Sequence, residues 1–535
     1  MPRGRMLIWA LLIPLAYAPA FLLGSHPGPA GLVALGLALA VALAAVAAFS
    51  RGASLDRAAA ALDPLAVPVL LVALAAYVGL SSVVALRRVA EFDHAPMLGL
   101  FSQSCWTQLR GHPFSNTQES IDGTLGSHFA IHFSPALFVL TPFYALFPKP
   151  AVLVVAQALA LALAAIPLYH LLRPRVARGP AALFAASLLA VPIFAWGACR
   201  DFHDSSFLPA PLLAAVWALE RGRWRWFAAF ALLALCVRED AGLVLAALGV
   251  WALVRGLGPR VAIPVAVAGL LWSAAITRLV MPAFWSPGMI MDPRRFFVAM
   301  FGQWGATPLE AVRGILTHPA AVARALTGRD AVHYLYLVFQ PLLLLPPFGD
   351  WAALVALPGL GVNLLSRYAF MRAADLPYTM IPVTFLALAA VQCAVRVAAR
   401  APEARRGAAQ LALALIVLSG TLPALAMSRP RPGPNLPPRA AAQAVVRAVP
   451  AGAPVYAPLA LYPALCNRED FDAWESTGPL TLDREFRRRY RMVILWPDGD
   501  LPGQPRDRMM ADSLARDPAF ARRPGFEPFV VYERR

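Results

Sequence analysis

Charge is what this sequence has least of. Asp, Glu, Lys and Arg make up 14% of its 535 residues, 59% are hydrophobic, and mean hydropathy is +0.60. A soluble chain of this size cannot cover so much apolar surface, which excludes a water-soluble globular protein. Acidic residues are scarcer than basic ones, 30 against 47, for a net charge of +17. Cysteine is rare and odd in number, five in all. Cys199, Cys236 and Cys393 lie in or beside apolar segments, and a disulfide between Cys105 and Cys466, the two that could meet outside, is not expected. There is no P-loop, no dinucleotide fingerprint and no repeat of solenoid length.

What is present is apolar sequence in long runs: "LIWALLIPLAYAPAFLL" from Leu7, "GLVALGLALAVALAAVAAF" from Gly31 and "LAVPVLLVALAAYVGLSSVVAL" from Leu65. Each is about long enough to cross roughly 30 Å of hydrocarbon as a helix. No convincing cleavage site follows the first run, so it is expected to stay as a span. The basic residues fall in short loops: "MPRGR", "RGASLDR", "RPRVARG", "RGRWR", "RGLGPR" and "RVAARAPEARR". This is the positive-inside pattern, and it accounts for the charge without nucleic acid, which is not an expected partner.

Placing those loops in the cytoplasm puts the loop 87–130 outside. Spans follow near 150–172, 180–199, 207–219, 225–237, 241–254, 261–281, 334–346, 350–365, 376–396 and 408–427, about thirteen in all with the C-terminus outside. The segment 131–147 must begin and end on the outer side and is expected to be re-entrant or half-crossing. After Met427, "SRPRPGPNLPP" opens a Pro-rich linker, 428–440. Beyond it, 441–535 reads as a small domain, with helices at "AAAQAVVRAV" and "DRMMADSLARD" and strands at "PVYAPLAL", "RMVILW" and "PFVVY". The expected fold is an all-α polytopic membrane bundle over 1–427 with a small extracytoplasmic α/β domain.

Ionisable residues at membrane depth are costly, so each is a candidate for function. The topology puts four groups on the outer side. "EFDHAP" places Asp93 just after the third span. "SHFAIHFSP" carries His128 and His132, with Ser134 as N-cap and Pro135 at the first helical position; a helix N-terminus there would favour phosphate. "CRDFHDSSF" packs Arg200, Asp201, His203 and Asp204 into one turn, where Asp201 and His203 offer two ligands to a divalent metal ion. "CVREDAG" would bury Arg238, Glu239 and Asp240 mid-helix, so a break is expected there. A fifth, weaker group is Arg367 and Arg372, guanidinium forks that suit phosphate. For every group an ordinary structural role is the alternative.

The order "FDHAPMLGLFSQSCW", "SHFAIHFSPALFVLTPFYALFP", "QALALALAAIPLY", "DFHDSSF", "RED" resembles a family of bacterial polytopic membrane proteins of unknown function, over about 93–378. "VYAPLALYPALCNRED" resembles its outer domain. The chain departs from the family pattern at "HAP" after Asp93 and at "LPY", which bears on Tyr378. More distantly, that family resembles the GT-C glycosyltransferases, which transfer sugars from polyprenyl-phosphate carriers outside the cytoplasmic membrane. The resemblance implies a base at Asp93. It implies substrate contacts at His128, His132, Asp201, His203, Arg238, Glu239, Asp240 and Arg367, with or without a divalent ion. The expected location is the bacterial cytoplasmic membrane, and the expected partners are membrane lipid and a polyprenyl-phosphate-linked sugar. A transporter using the same Asp/His/Arg cluster, or a non-catalytic envelope assembly protein, are the competing readings.

Overall fold

In the computed structural model, which describes residues 3–22, 28–51, 53–94, 96–120, 124–289, 293–429, 436–472, 484–499 and 506–535, most of the chain is helical. Six helical stretches are long and apolar enough to span a membrane: Pro29–Arg51, Ala66–Ala90, Ala151–Leu172, Pro259–Phe284, Pro377–Ala398 and Glu403–Met427. A seventh is the pair Arg178–Leu189 and Pro192–Arg200, bent by 48° at its break. Pro192 lacks an amide donor and cannot continue the ladder of the first helix.

By length and composition, six or seven of the about thirteen expected spans are found among the described residues. The reason is helix length. Trp224–Leu235, Ala241–Val254 and Ala352–Leu365 are apolar but hold only 12, 14 and 14 residues. At 1.5 Å per residue they reach roughly 18–21 Å, short of ~30 Å of hydrocarbon. The segment expected to be half-crossing is a 3₁₀ turn, Pro135–Leu140, running into the short helix Thr141–Leu146.

The basic loops gather at one end of the bundle. Arg405 pairs with Asp56 at 3.0 Å, and Asp63 accepts from the Gly179 amide at 2.8 Å. Gln410 joins Ala177 and Arg175. Arg255 reaches both Glu220, at 3.4 Å, and Asp350, at 2.7 Å. Arg396 donates to the Phe348 carbonyl. Five loops that the charge pattern assigns to one side therefore share one polar layer.

The helices pack by small residues as well as large ones. Ala241–Val254 lies against Pro259–Ala275 through Gly242, Gly249 and Gly269. A Cβ on Gly242 would sit 2.3 Å from the Gly269 carbonyl oxygen, so only glycine permits this approach. Pro377–Ala398 is the most enclosed span, 83% buried, whereas Ala66–Ala90 is 22% buried and faces outward.

The C-terminal residues form a five-stranded mixed sheet. Val455–Tyr456 is the hub, parallel to both Phe471–Asp472 and Met492–Leu495; Val530–Arg534 runs antiparallel to Met492–Leu495 and to the edge strand Phe520–Arg523. Helices Arg439–Ala448 and Arg506–Leu514 accompany it. Residues 430–435 of the expected Pro-rich linker lie outside the described residues. Cys105 and Cys466 are both buried and both free thiols.

Candidate functional site

At the end of the bundle opposite the basic layer, polar residues from four separate segments interlock. Helix Trp224–Leu235 stops before Cys236 and Ala241–Val254 starts after Asp240, so the chain breaks where three charges would otherwise enter a continuous helix. Arg238 turns into the break and holds Asp240 through two contacts, 3.1 and 3.2 Å. It also reaches Asp204 at 3.3 Å. Asp204 receives the Ser134 hydroxyl at 2.7 Å and the Ser205 amide at 2.7 Å. Glu239 accepts from His132 Nδ1 at 2.9 Å and from the Phe133 amide at 3.1 Å. Its own carbonyl takes the Ser273 hydroxyl.

This corrects one detail of the reading of "HFSP". Ser134 does sit at the N-cap position with Pro135 behind it, but the turn it starts is 3₁₀, and its hydroxyl goes to Asp204 rather than to a backbone amide. His128 and His132 face each other with ring centroids 5.8 Å apart. His128 is fully buried, and its Nδ1 is 2.8 Å from Glu119 Oε1; Nε2 has no hydrogen-bond partner among the described residues. Burial alone would lower the pKa of His128, but Glu119, with Asp204 and Glu239 farther off, raises it above the ordinary histidine value. Burial likewise opposes charge on Asp204, and Arg238, His132 and His128 overcome it, holding its carboxyl well below the usual range.

The "DFH" turn ties this cluster to the first loop. Both Asp201 oxygens are occupied: Leu98 N donates to one at 2.7 Å, Met97 N to the other at 3.1 Å, and Phe202 N adds a third bond at 2.9 Å. Asp201 caps the start of helix Met97–Gln108 by accepting its first two amides. Burial nevertheless lifts its carboxyl to about 7. Gln157 bridges the turn, donating to the Asp201 carbonyl and accepting from the His203 amide. The His203 ring has no hydrogen-bond partner among the described residues, and burial lowers its pKa to about 4, so it is neutral at pH 7.

A divalent ion at Asp201 and His203 does not fit this arrangement. The Asp201 oxygens already accept three amides, and no group of three or more His, Cys, Asp or Glu placed to hold a metal occurs among the described residues.

Asp93 occupies a neighbouring position rather than the centre of the histidine cluster. It is 7% exposed, and both carboxylate oxygens face the Arg88 guanidinium, at 3.0 and 3.3 Å. Arg88, His94, Gln157, Arg200 and Asp201 line a water-sized cavity of about 10 Å³ there. Arg200 pairs with Asp375 at the rim, and Tyr378 lies within electrostatic reach of Arg238 and Asp204. Arg367 is exposed, with its amide on the Met300 carbonyl; none of the cluster's hydrogen bonds or ion pairs reaches it.

Sequence reasoning missed three contributors. Gln157 had a signal, a lone amide in the apolar run "VVAQALAL". Glu119 had none, being one polar residue among many in "FSNTQES". Gln103 is the third. Its carbonyl accepts from Tyr462 at 2.6 Å and from the Thr117 amide and hydroxyl at 3.0 and 3.1 Å, while its amide donates to Arg468 O at 2.9 Å. It thereby joins the first loop to the C-terminal domain.

The chain belongs to the family described as "Predicted membrane protein (DUF2079)", whose model matches residues 90–517. No curated protein matches it. Among solved structures it is similar to ArnT from Cupriavidus metallidurans bound to undecaprenyl phosphate: 14% identity, 85% of this chain and 97% of that chain, TM-score 0.44. It is also similar to the same protein in the apo state, at 14% identity, 89% and 98% coverage and TM-score 0.42.

Proposed function

We propose that this member of the DUF2079 family is an integral-membrane glycosyltransferase of GT-C type. It moves a sugar from a polyprenyl-phosphate donor to an acceptor on the extracytoplasmic side of the bacterial membrane. The observation that carries the reading is the interlocked cluster of His132, Ser134, Asp204, Arg238 and Glu239, at the end of the bundle opposite the basic loops. By the positive-inside pattern that end is extracytoplasmic.

The chemistry follows from the residues present. The acceptor hydroxyl gives its proton to Asp93 as its oxygen bonds to the anomeric carbon; the bond from that carbon to the phosphate oxygen breaks, and the polyprenyl phosphate leaves with the electron pair. Arg88 orients the Asp93 carboxylate. Arg238, bound to Asp204 and Asp240, organises the helix break rather than meeting the donor. The partly exposed Arg200 is the cation with access to a departing phosphate. His203, neutral and without a hydrogen-bond partner among the described residues, is available to a sugar hydroxyl.

A transport path is less well supported. The cluster at one end and the Glu220–Arg255–Asp350 network at the other are joined by Ala241–Val254, "AGLVLAALGVWALV", which carries no ionisable side chain. The test is transfer by the purified chain in vesicles supplied with a panel of polyprenyl-phosphate sugars, beside lipid-linked glycan analysis of a deletion strain. Accumulation of a lipid-linked donor in the deletion strain and transfer in vesicles are expected. Proton-coupled flux without transfer from any donor would replace this reading with transport.

A further inference from the structure

Four short helices follow the span Pro259–Phe284: Pro293–Phe301, Pro308–Thr317, Pro319–Thr327 and Arg329–Phe339. In Pro308–Thr317, Leu309 and Leu316 are 79% and 76% exposed, and Val312 between them is also exposed. These three lie at i, i+3 and i+7, one stripe of the helix. Glu310, Arg313 and Thr317 form the adjoining polar flank, while Ala311 and Gly314 face inward. Gly314 seats the helix on the Trp304 backbone; a Cβ there would come 2.0 Å from the Trp304 carbonyl oxygen. A helix with one flank polar, one apolar and a third fixed to the protein lies along a membrane surface rather than across it.

Beneath these helices is a cavity of about 440 Å³. Trp304 and Gln303 form one wall and are tied to the Leu365 carbonyl. Arg329 and Asp330 enter from the start of Arg329–Phe339, and Ser366 and Arg372 from the opposite side. Arg372 has one hydrogen bond, to Ser366 O, and Arg329 has none among the described residues. Two guanidinium groups against one carboxylate leave the cavity net positive. Its volume is that of a small-molecule site and far beyond one water.

We propose that Pro308–Thr317 and Pro319–Thr327 rest in the head-group layer of the membrane and that this cavity holds the phosphodiester of an anionic bulk phospholipid. Arg329 and Arg372 are its cations, Gln303 a neutral donor, and the Leu309–Val312–Leu316 stripe lies among the acyl chains. The exposed stripe beside a cationic cavity favours a lipid-borne phosphate over a free one. The site is separate from the one proposed for transfer, and its test does not depend on that reading.

The full chain, delipidated in detergent, would be incubated with phosphatidylglycerol or phosphatidylcholine and the retained lipid counted by native mass spectrometry. Phosphatidylglycerol should be retained preferentially and lost with rising salt. Arg329→Gln combined with Arg372→Gln should reduce retention on the order of tenfold, and Arg329→Lys should preserve most of it. Arg313→Gln, outside the cavity, should have little effect. Equal retention by the double variant and the parent would overturn the proposal. So would displacement of phosphatidylglycerol by millimolar inorganic phosphate, which would make this a free-phosphate site, or one-for-one displacement by a polyprenyl phosphate, which would make it part of the substrate site. A variant that elutes as aggregate is replaced by Arg372→Gln alone, for which unchanged retention is equally adverse.

Discussion

His132 Nδ1 lies 2.9 Å from Glu239 Oε1, joining two residues 107 positions apart. The same carboxylate takes the Phe133 amide on its other oxygen, so Glu239 orients both the imidazole and the backbone beside it. Breaking a partly buried pair of this kind leaves the imidazole and the Phe133 amide without their partner and costs about 1–3 kcal/mol. Glu239→Gln is therefore expected to lower the thermal midpoint of the solubilised protein clearly. Asp375→Asn, at the exposed pair with Arg200, should cost under about 1 kcal/mol. Equal shifts in the two variants would show that the His132–Glu239 contact does not hold the cluster together.

Much of this arrangement was legible in the sequence, and for a definite reason. Arg238, Glu239 and Asp240 interrupt an apolar run in which three charges cannot lie at hydrocarbon depth, and the chain breaks there. The basic loops announced themselves by charge and do share one end. The span count was less legible, because composition reports that Ala241–Val254 is apolar but not that its helix stops after 14 residues. Partners were least legible. Asp201 resembles a metal ligand in "DFHD", yet it caps Met97–Gln108, a role fixed by a helix about a hundred positions away. Glu119 and Ser134 acquire their meaning only from the fold that brings His128 and Asp204 to them.

The Glu119–His128 pair sets a pH dependence. His128 is raised above its unfolded value of about 6.5, so the proton is bound more tightly in the folded state. The stabilisation is complete below about 6.5 and is lost as pH rises through the raised folded value. Melting midpoints measured from pH 6 upward should fall over that window in the parent. In Glu119→Gln the fall should shrink, with the midpoint at pH 6 already lower. A parallel pH profile in both proteins would remove Glu119 as the cause.

Gln103 joins the C-terminal domain to the first loop through four hydrogen bonds. Leucine there would leave the Thr117 donors, the Tyr462 hydroxyl and the Arg468 carbonyl without their buried partner, at about 1–3 kcal/mol for each unsatisfied group. Gln103→Leu should expose the C-terminal domain to limited proteolysis near the 430–440 connection while the bundle remains intact. Tyr462→Phe, which removes one donor cleanly, should do less. Unchanged cleavage in Gln103→Leu would mean that apolar packing alone, including the Tyr462 ring against Gly99, holds the domain in place.

Asp93 and Arg88 provide the most direct test of the proposed reaction. The two are paired through both carboxylate oxygens, so an essential carboxylate and a structural ion pair predict different outcomes when each partner is changed. Asp93→Asn keeps the side-chain shape and one acceptor for Arg88 but cannot take a proton. If Asp93 is the base, sugar transfer in vesicles should fall by about 10²–10⁴-fold, the usual worth of general-base catalysis. The amount of inserted protein should stay near that of the parent, and the melting midpoint should fall no further than in Arg88→Gln, because asparagine still accepts from Arg88. Arg88→Gln removes the orienting cation and leaves the base in place, so it should cost less activity than Asp93→Asn at comparable or greater cost in stability. Parent-level transfer by Asp93→Asn would exclude Asp93 as the base. Equal loss of stability and activity in both variants would reduce the pair to an ion bridge that anchors the first loop.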